Sequence, residues 1–218
     1  TPRSGFLVEF NALWHNALKF AEEVAEAVNN EALATIFKEK ALKVQQSFVE
    51  TFLNDAGYLY DYVHGTYADR NVRPNMIFAV SVDYSPLDRH QKKSVVDFVT
   101  KELLTHVGIR SLSPKGYNYR PRYTGTTEEK EYAYFNGCAF PWLIGAYIEA
   151  YLKVFSMSGL SLADRIMIEL EDQMQNDCIG TLSEFYDSNP PFYAHCGYSF
   201  AMSVAETLRA KKLIKSFG

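Results

Sequence analysis

Two carboxylates, Glu184 and Asp187, stand three residues apart in the stretch GTLSEFYDSNPPF, residues 180–192, which closes on a Pro-Pro pair. Proline fixes backbone torsions and small residues allow tight turns, so such a stretch can present an acid from a rigid support. A carboxylate held in that way can take a proton from water as a general base, as glycoside hydrolysis requires. The competing reading is a turn with a solvated acid, and the stretch alone leaves both open.

Other chemistries find little support. Asp177-Cys178 and His195-Cys196 could meet at a metal, but no CxxC or HExxH spacing is present, so no metal is expected. There is no GxSxG elbow, P-loop or GxGxxG, and the five histidines show no i, i+4 pairing, so no cofactor is expected either. A net charge of −4 with 22% charged residues argues against a nucleic-acid surface. No apolar run approaches the ~20 residues that span a bilayer, and no leader pattern opens the chain, which excludes a membrane reading. Three cysteines are an odd number for a disulfide framework, which points to reduced thiols in the cytoplasm. The chain begins Thr-Pro-Arg without an initiator Met and is expected to be a piece of a longer polypeptide.

Apolar spacing predicts helices nearly throughout the 218 residues, read as one domain. From Val8 to Val28 two stripes run side by side, Leu13-Ala17-Phe20-Val24 and Trp14-Leu18-Ala21-Ala25-Val28, which predicts a helix buried on two sides. Glu31 to Leu53 carries one stripe and is expected to be half-buried. The rhythm continues through Pro74 to Val82 (inner), Asp88 to His106 (outer), Pro141 to Phe155 (inner), Ser161 to Cys178 (outer) and Tyr198 to Leu208 (inner). Seven helices alternating between full and half burial suit an α/α toroid, an inner ring within an outer one. Inner-to-outer joints are short, and the outer-to-inner joints Asn54 to Arg73, Gly108 to Phe140 and Ile179 to Gly197 are long. The long joints share one rim, where binding and catalysis concentrate, and Glu184 lies in one of them.

The first long joint holds Asp61 and leads through Arg73, Pro74 and Asn75 into a helix. Guanidinium and carboxamide groups at a helix mouth can hold hydroxylated ligands; alternatively Arg73 pairs with an acid and Asn75 caps. The second joint carries Tyr117, Tyr119, Tyr123, Tyr132, Tyr134 and Phe135, with Asn136 and Trp142 close behind. Aromatic faces beside Asn and Arg suit sugar stacking, although an ordered loop whose rings pack on one another reads the same way.

Six ordered stretches, TPRSGFLVEFNALWHNAL, VRPNMIFAVSVDYSPL, VTKELLTHVGIRSLSPK, YRPRYTG, AYFNGCAFPWLIGAYIEAYLKV and IGTLSEFYDSNPP with SVAETLRA, together resemble the amylo-α-1,6-glucosidase domain of glycogen debranching enzymes. The resemblance covers essentially the whole chain. It implies an (α/α)6 toroid, of which these residues supply about the C-terminal half. It also implies inverting hydrolysis of glucosyl stubs at α-1,6 branch points of glycogen or a related branched glucan. By position, Glu184 matches the catalytic base, and Glu9, Asn11, Trp14, Asp61, Arg73 and Asn75 fall on motif positions expected to line the sugar pocket. Asp187→Asn, three residues on, is expected to cost far less turnover than Glu184→Gln. Two departures from the family pattern stand out: Phe135 replaces a His and Phe140 a Trp.

The resemblance places the partner acid upstream of Thr1, in the N-terminal remainder of the same catalytic domain. The isolated chain is therefore expected to be inactive. Its inner-helix residues Ile144, Tyr147, Ile148 and Tyr151 are expected to lack their partners across the ring, which would favour self-association. The alternatives are a non-catalytic glucan-binding or assembly module, and a toroid glucosidase acting on another α-linkage.

Overall fold

A computed structural model of the protein describes residues 2–177 and 179–217; Cys178, with the expectations attached to it, lies outside them. The chain divides into two compact units. One comprises Pro2–Arg70 and Asn75–Val95, the other Asn71–Pro74 and Val96 onward.

In the first unit, α1 (Val8–Ala27) and α2 (Glu31–Phe52) form a hairpin of helices. Asn29 turns the chain with a positive φ of 57°, which asparagine tolerates better than most residues. The side chain of Asn30 then caps α2 by accepting from the Leu33 amide at 3.2 Å. On α2 the expected stripe holds along its later turns, where Ala41, Phe48 and Phe52 are buried, while Leu33 at its head is exposed. The Phe48 and Phe52 rings lie 5.0 Å apart, and burying each phenyl contributes about 1.5–3 kcal/mol. On α1 the expectation of two-sided burial is overturned. Val8, Ala12, His15, Leu18, Glu22 and Ala25 face inward, whereas Leu13, Trp14, Phe20 and Val24 are exposed. The reason is that α1 packs within its unit against α2 and the short α3 (Phe78–Ser81) on one side of its cylinder. Strands β1 (Phe6–Leu7), β2 (Tyr62–His64) and β3 (Tyr67–Ala68) form a small antiparallel sheet that ties the start of α1 to the first long joint.

Helix α4 (Arg89–Glu102) starts in the first unit and ends in the second. Beyond it the long joints contain regular structure that the periodicity did not predict. Five two- and three-residue strands form an antiparallel ladder in chain order: β4 (Leu104–Thr105), β5 (Gly108–Arg110), β6 (Ala139–Phe140), β7 (Phe185–Tyr186) and β8 (Ala194–His195). Ile109 pairs with Phe140, Ala139 with Tyr186, and Phe185 with His195. Gly108 makes the close approach possible: its φ is 148°, and a Cβ there would meet the Phe140 carbonyl carbon at 2.5 Å. Helix α5 (Thr127–Phe135) is also new. It starts in a capping box, with Thr126 accepting from the Glu129 amide and Glu129 accepting from the Thr126 amide.

Helix α6 (Leu143–Phe155) is buried nearly all round, as expected, and packs against α8 (Ala201–Phe217). Ile144, Tyr147 and Ile148 are fully buried and Tyr151 half-buried, so the unpartnered face expected on these residues does not exist. The Tyr147 hydroxyl hydrogen-bonds Thr100 Oγ1 at 2.8 Å, and α8 covers the helix from another side. On the half-buried α7 (Leu160–Gln173), Ala163, Ile166, Met167 and Leu170 face inward. Helix α8 starts three residues later than predicted and continues to Phe217.

Candidate active site

Glu184 immediately precedes β7, and the backbone around it is pinned on both sides. Leu182 O accepts from the Phe200 amide at 2.8 Å, and Ser183 O accepts from the Ser203 hydroxyl at 2.9 Å. Phe185 and Tyr186 are buried in the ladder. The Glu184 side chain is half-buried, and its Oε1 accepts from the Tyr134 hydroxyl at 2.8 Å. The Tyr134 ring meets Phe135, Phe140 and Phe185 edge-on, with all three centroids at 4.9 Å. Burial, and then the bond to Glu184, push the Tyr134 phenol well above the usual tyrosine range, so it stays protonated and donates. Both departures from the family pattern, Phe135 and Phe140, thus belong to the aromatic collar of this hydroxyl.

Asp187 is held within the fold. It is 1% exposed, and its Oδ1 accepts from His195 Nε2 at 2.7 Å and from the Tyr123 amide at 2.8 Å. An ionised carboxylate only accepts, so the proton lies on Nε2 of His195. The Asp187 amide donates to Tyr193 O at 2.9 Å. Asp187 therefore fastens β7 and β8 to the segment carrying Tyr123, and Tyr123 packs edge-on against Phe185 at 4.9 Å. Burial raises the Tyr123 phenol, aided by the contact from the Cys196 thiol.

Arg73 and Asn136 come together in the same unit, but inside the protein. Arg73 is 6% exposed and donates to Ser111 O at 3.2 Å, Phe135 O at 2.7 Å and Asn136 Oδ1 at 2.9 Å. Asn136 Nδ2 donates to Tyr132 O at 2.9 Å. The pair thus holds the end of α5, and with it the peptide that follows Tyr134. Trp142 heads α6, half-buried.

The remaining sequence-derived residues lie in the other unit. Arg3, which the sequence did not single out, joins Glu9 and Asp61: Nη1 to Glu9 Oε1 at 2.6 Å, Nη2 to Glu9 Oε2 at 2.8 Å, and Nε to Asp61 Oδ2 at 2.7 Å. Burial pulls the Arg3 guanidinium down, but the bonds and charges of Glu9 and Asp61 outweigh it and raise it overall. Asn75 Nδ2 donates to Asp61 Oδ1 at 2.8 Å. Asn11 turns back to Leu7 O at 2.8 Å, at the start of α1, and Trp14 is 55% exposed.

Two further side chains, Tyr134 and His195, escaped the sequence reading as site residues. Tyr134 was legible only as one of many aromatics. The Thr-x-x-Glu signature of Thr126 and Glu129 could have revealed the helix that presents it. Among the described residues no group of three or more His, Cys, Asp or Glu is placed to hold a metal ion. What the second unit offers is a half-buried carboxylate with a neutral donor on one oxygen, mounted on a hydrogen-bonded ladder.

Among solved structures the fold is that of (α/α)6 toroid enzymes. A GH63 mannosylglycerate hydrolase from Thermus thermophilus, in complex with glucose, superposes with a TM-score of 0.64 at 14% identity over 92% of this chain and 44% of that one. Neutral trehalase from Saccharomyces cerevisiae gives 0.68 at 13% identity over 95% of this chain and 39% of that one. The chain belongs to the amylo-alpha-1,6-glucosidase family, whose pattern it matches over residues 1–209. The glycogen debranching enzyme of Saccharomyces cerevisiae is 26% identical over 190 residues, covering 69% of this chain and 12% of that protein. The chain thus spans less than half the length of these relatives.

Proposed function

We propose that this chain supplies the base side of a debranching α-1,6-glucosidase site, with Glu184 activating the water that attacks a glucosyl stub with inversion. The observation that carries the reading is the Glu184 carboxylate itself: half-buried, bonded through one oxygen to Tyr134, and set on a ladder that fixes its backbone. In the attack, the water O–H bond breaks towards Glu184 as the water oxygen bonds the anomeric carbon. In the same step the bond from the anomeric carbon to the glycosidic oxygen breaks, and a second carboxyl group on the opposite face, about 6.5–9.5 Å away, gives its proton to that oxygen. We assign that acid to sequence outside these 218 residues, in keeping with the 44% and 39% of the toroid enzymes that the chain spans.

The substrate in this reading is glycogen or another branched α-glucan, supported by family membership and by the debranching enzyme to which the chain is similar. We place the activity in the cytoplasm, where the thiols of Cys138 and Cys196, both free, remain reduced. The test is Glu184→Gln in the full-length gene product, assayed for glucose release from a limit dextrin. The near-isosteric amide should preserve fold and glucan binding and lower turnover roughly 10² to 10⁴-fold. Undiminished turnover would refute the assignment.

A further inference from the structure

We propose that Tyr134 is the positioning residue of this site: its hydroxyl holds Oε1 of Glu184, so that Oε2 alone faces the water to be activated. The inference rests on the reading of Glu184 as the base.

The geometry is specific. Tyr134 makes the one hydrogen bond to Glu184 among the described residues, 2.8 Å from hydroxyl to Oε1. The other oxygen is turned towards Gly197, where a Cβ would stand 3.8 Å from Oε2, an ordinary contact distance. A carboxylate with four lone-pair directions and no partner could rotate about its last torsion and present either oxygen. A fixed donor on one oxygen removes that freedom. The donor is fixed in turn. Phe135, Phe140 and Phe185 box the ring edge-on at 4.9 Å each. The Tyr134 carbonyl accepts from the Ser111 hydroxyl at 3.1 Å, and Arg73 holds the next carbonyl, that of Phe135, at 2.7 Å. Such a chain of support, from buried arginine through helix end to phenol to carboxylate, is what keeps a base within the few tenths of an ångström that proton transfer requires.

The phenol does not exchange roles with the carboxylate. Burial and the adjacent Glu184 hold it protonated throughout the working pH range, so the proton lost by water goes to Oε2 and the phenolic proton stays where it is. The other titratable groups around the site are Tyr123, Cys138, Cys196 and His195. Tyr123 is raised by burial, and Cys138 is pushed up to about 12 by burial and the charge of Asp187.

The experiment compares wild type, Tyr134→Phe and Glu184→Gln in the full-length gene product on a limit dextrin. Tyr134→Phe keeps the ring and its three edge contacts. It should lower kcat about 10-fold or more and leave KM within about 2-fold, because misplacing a base costs turnover rather than ground-state binding. Replacing Tyr134 by 3-fluorotyrosine, which keeps a hydroxyl donor on a ring of nearly the same shape, should hold kcat within about 3-fold of wild type. An unchanged kcat in Tyr134→Phe, with Glu184→Gln inactive, would overturn the role of Tyr134 and leave the base in place. Full activity in Glu184→Gln would remove the base and this proposal with it.

Discussion

Asp187→Ala should unfasten the support on which Glu184 stands. The side chain is 1% exposed, and its Oδ1 is the acceptor for two N–H groups, the Tyr123 amide at 2.8 Å and His195 Nε2 at 2.7 Å. Removing it leaves both donors without the acceptor around which they are arranged. A buried hydrogen bond to a charged group contributes about 1.5–3 kcal/mol. The His195 side chain is 20% exposed and can turn to water, so its share falls at the low end. The total is about 3–4 kcal/mol, which for a chain of this size lowers the melting midpoint by about 6–15 °C. Asp187→Asn keeps an oxygen in place and loses the charge, for about 1–2 kcal/mol. Both variants should also slow turnover in the full-length protein, because Tyr123 rests on Phe185, the residue next to Glu184. Thermal melting and hydrogen exchange of the Tyr123 amide read the two effects. A melting midpoint within about 2 °C of wild type, with the Tyr123 amide still protected, would show that Oδ1 is not the working acceptor.

The 218-residue chain expressed alone should release no glucose from limit dextrin, since inversion needs a second carboxyl group; turnover by the purified chain would place the acid within these residues. Glu102 should make stability pH-dependent. Burial raises its carboxyl, but the bonds from Lys115 and Ser113 outweigh this and hold it below the usual value. Its contribution is thus fully present above the unfolded-state value of about 4.3 and is lost as pH falls through the folded value. Urea melts of wild type and Lys115→Met should accordingly differ most near neutrality and converge in acid. A difference independent of pH would show that Lys115 acts through its aliphatic stem and not its charge.

The elements of this protein were largely legible in the sequence. Stripes on residues 31–53 and 141–155 marked α2 and α6, because burial of one face or of the whole cylinder selects apolar residues at helical spacing. The opening stretch singled out Glu184 as one of two readings, since an acid among small residues before two prolines is a local statement about rigidity, and the resemblance favoured the base. Motif order across the chain pointed to the family.

What it could not show was pairing at a distance. Two-residue strands such as Phe185–Tyr186 and Ala194–His195 carry no periodicity of their own. They are strands only because the ladder aligns them, and its central pairings, Ile109 with Phe140 and Ala139 with Tyr186, join segments that the chain keeps far apart. The same holds for Tyr134, one tyrosine among 15 until α5 brings it to Glu184, 50 positions further on. Arg73 read as a sugar ligand or an acid's partner, and tertiary structure sets it inside the protein against two carbonyls and Asn136. The two stripes on α1 failed for a related reason: periodicity reports which residues could be buried, and only a packed neighbour decides which of them are. The carboxylate was therefore set by local chemistry, whereas the donor that aims it, and the buried acid that anchors its strand, exist only where the fold has made the loop-closure entropy worth losing.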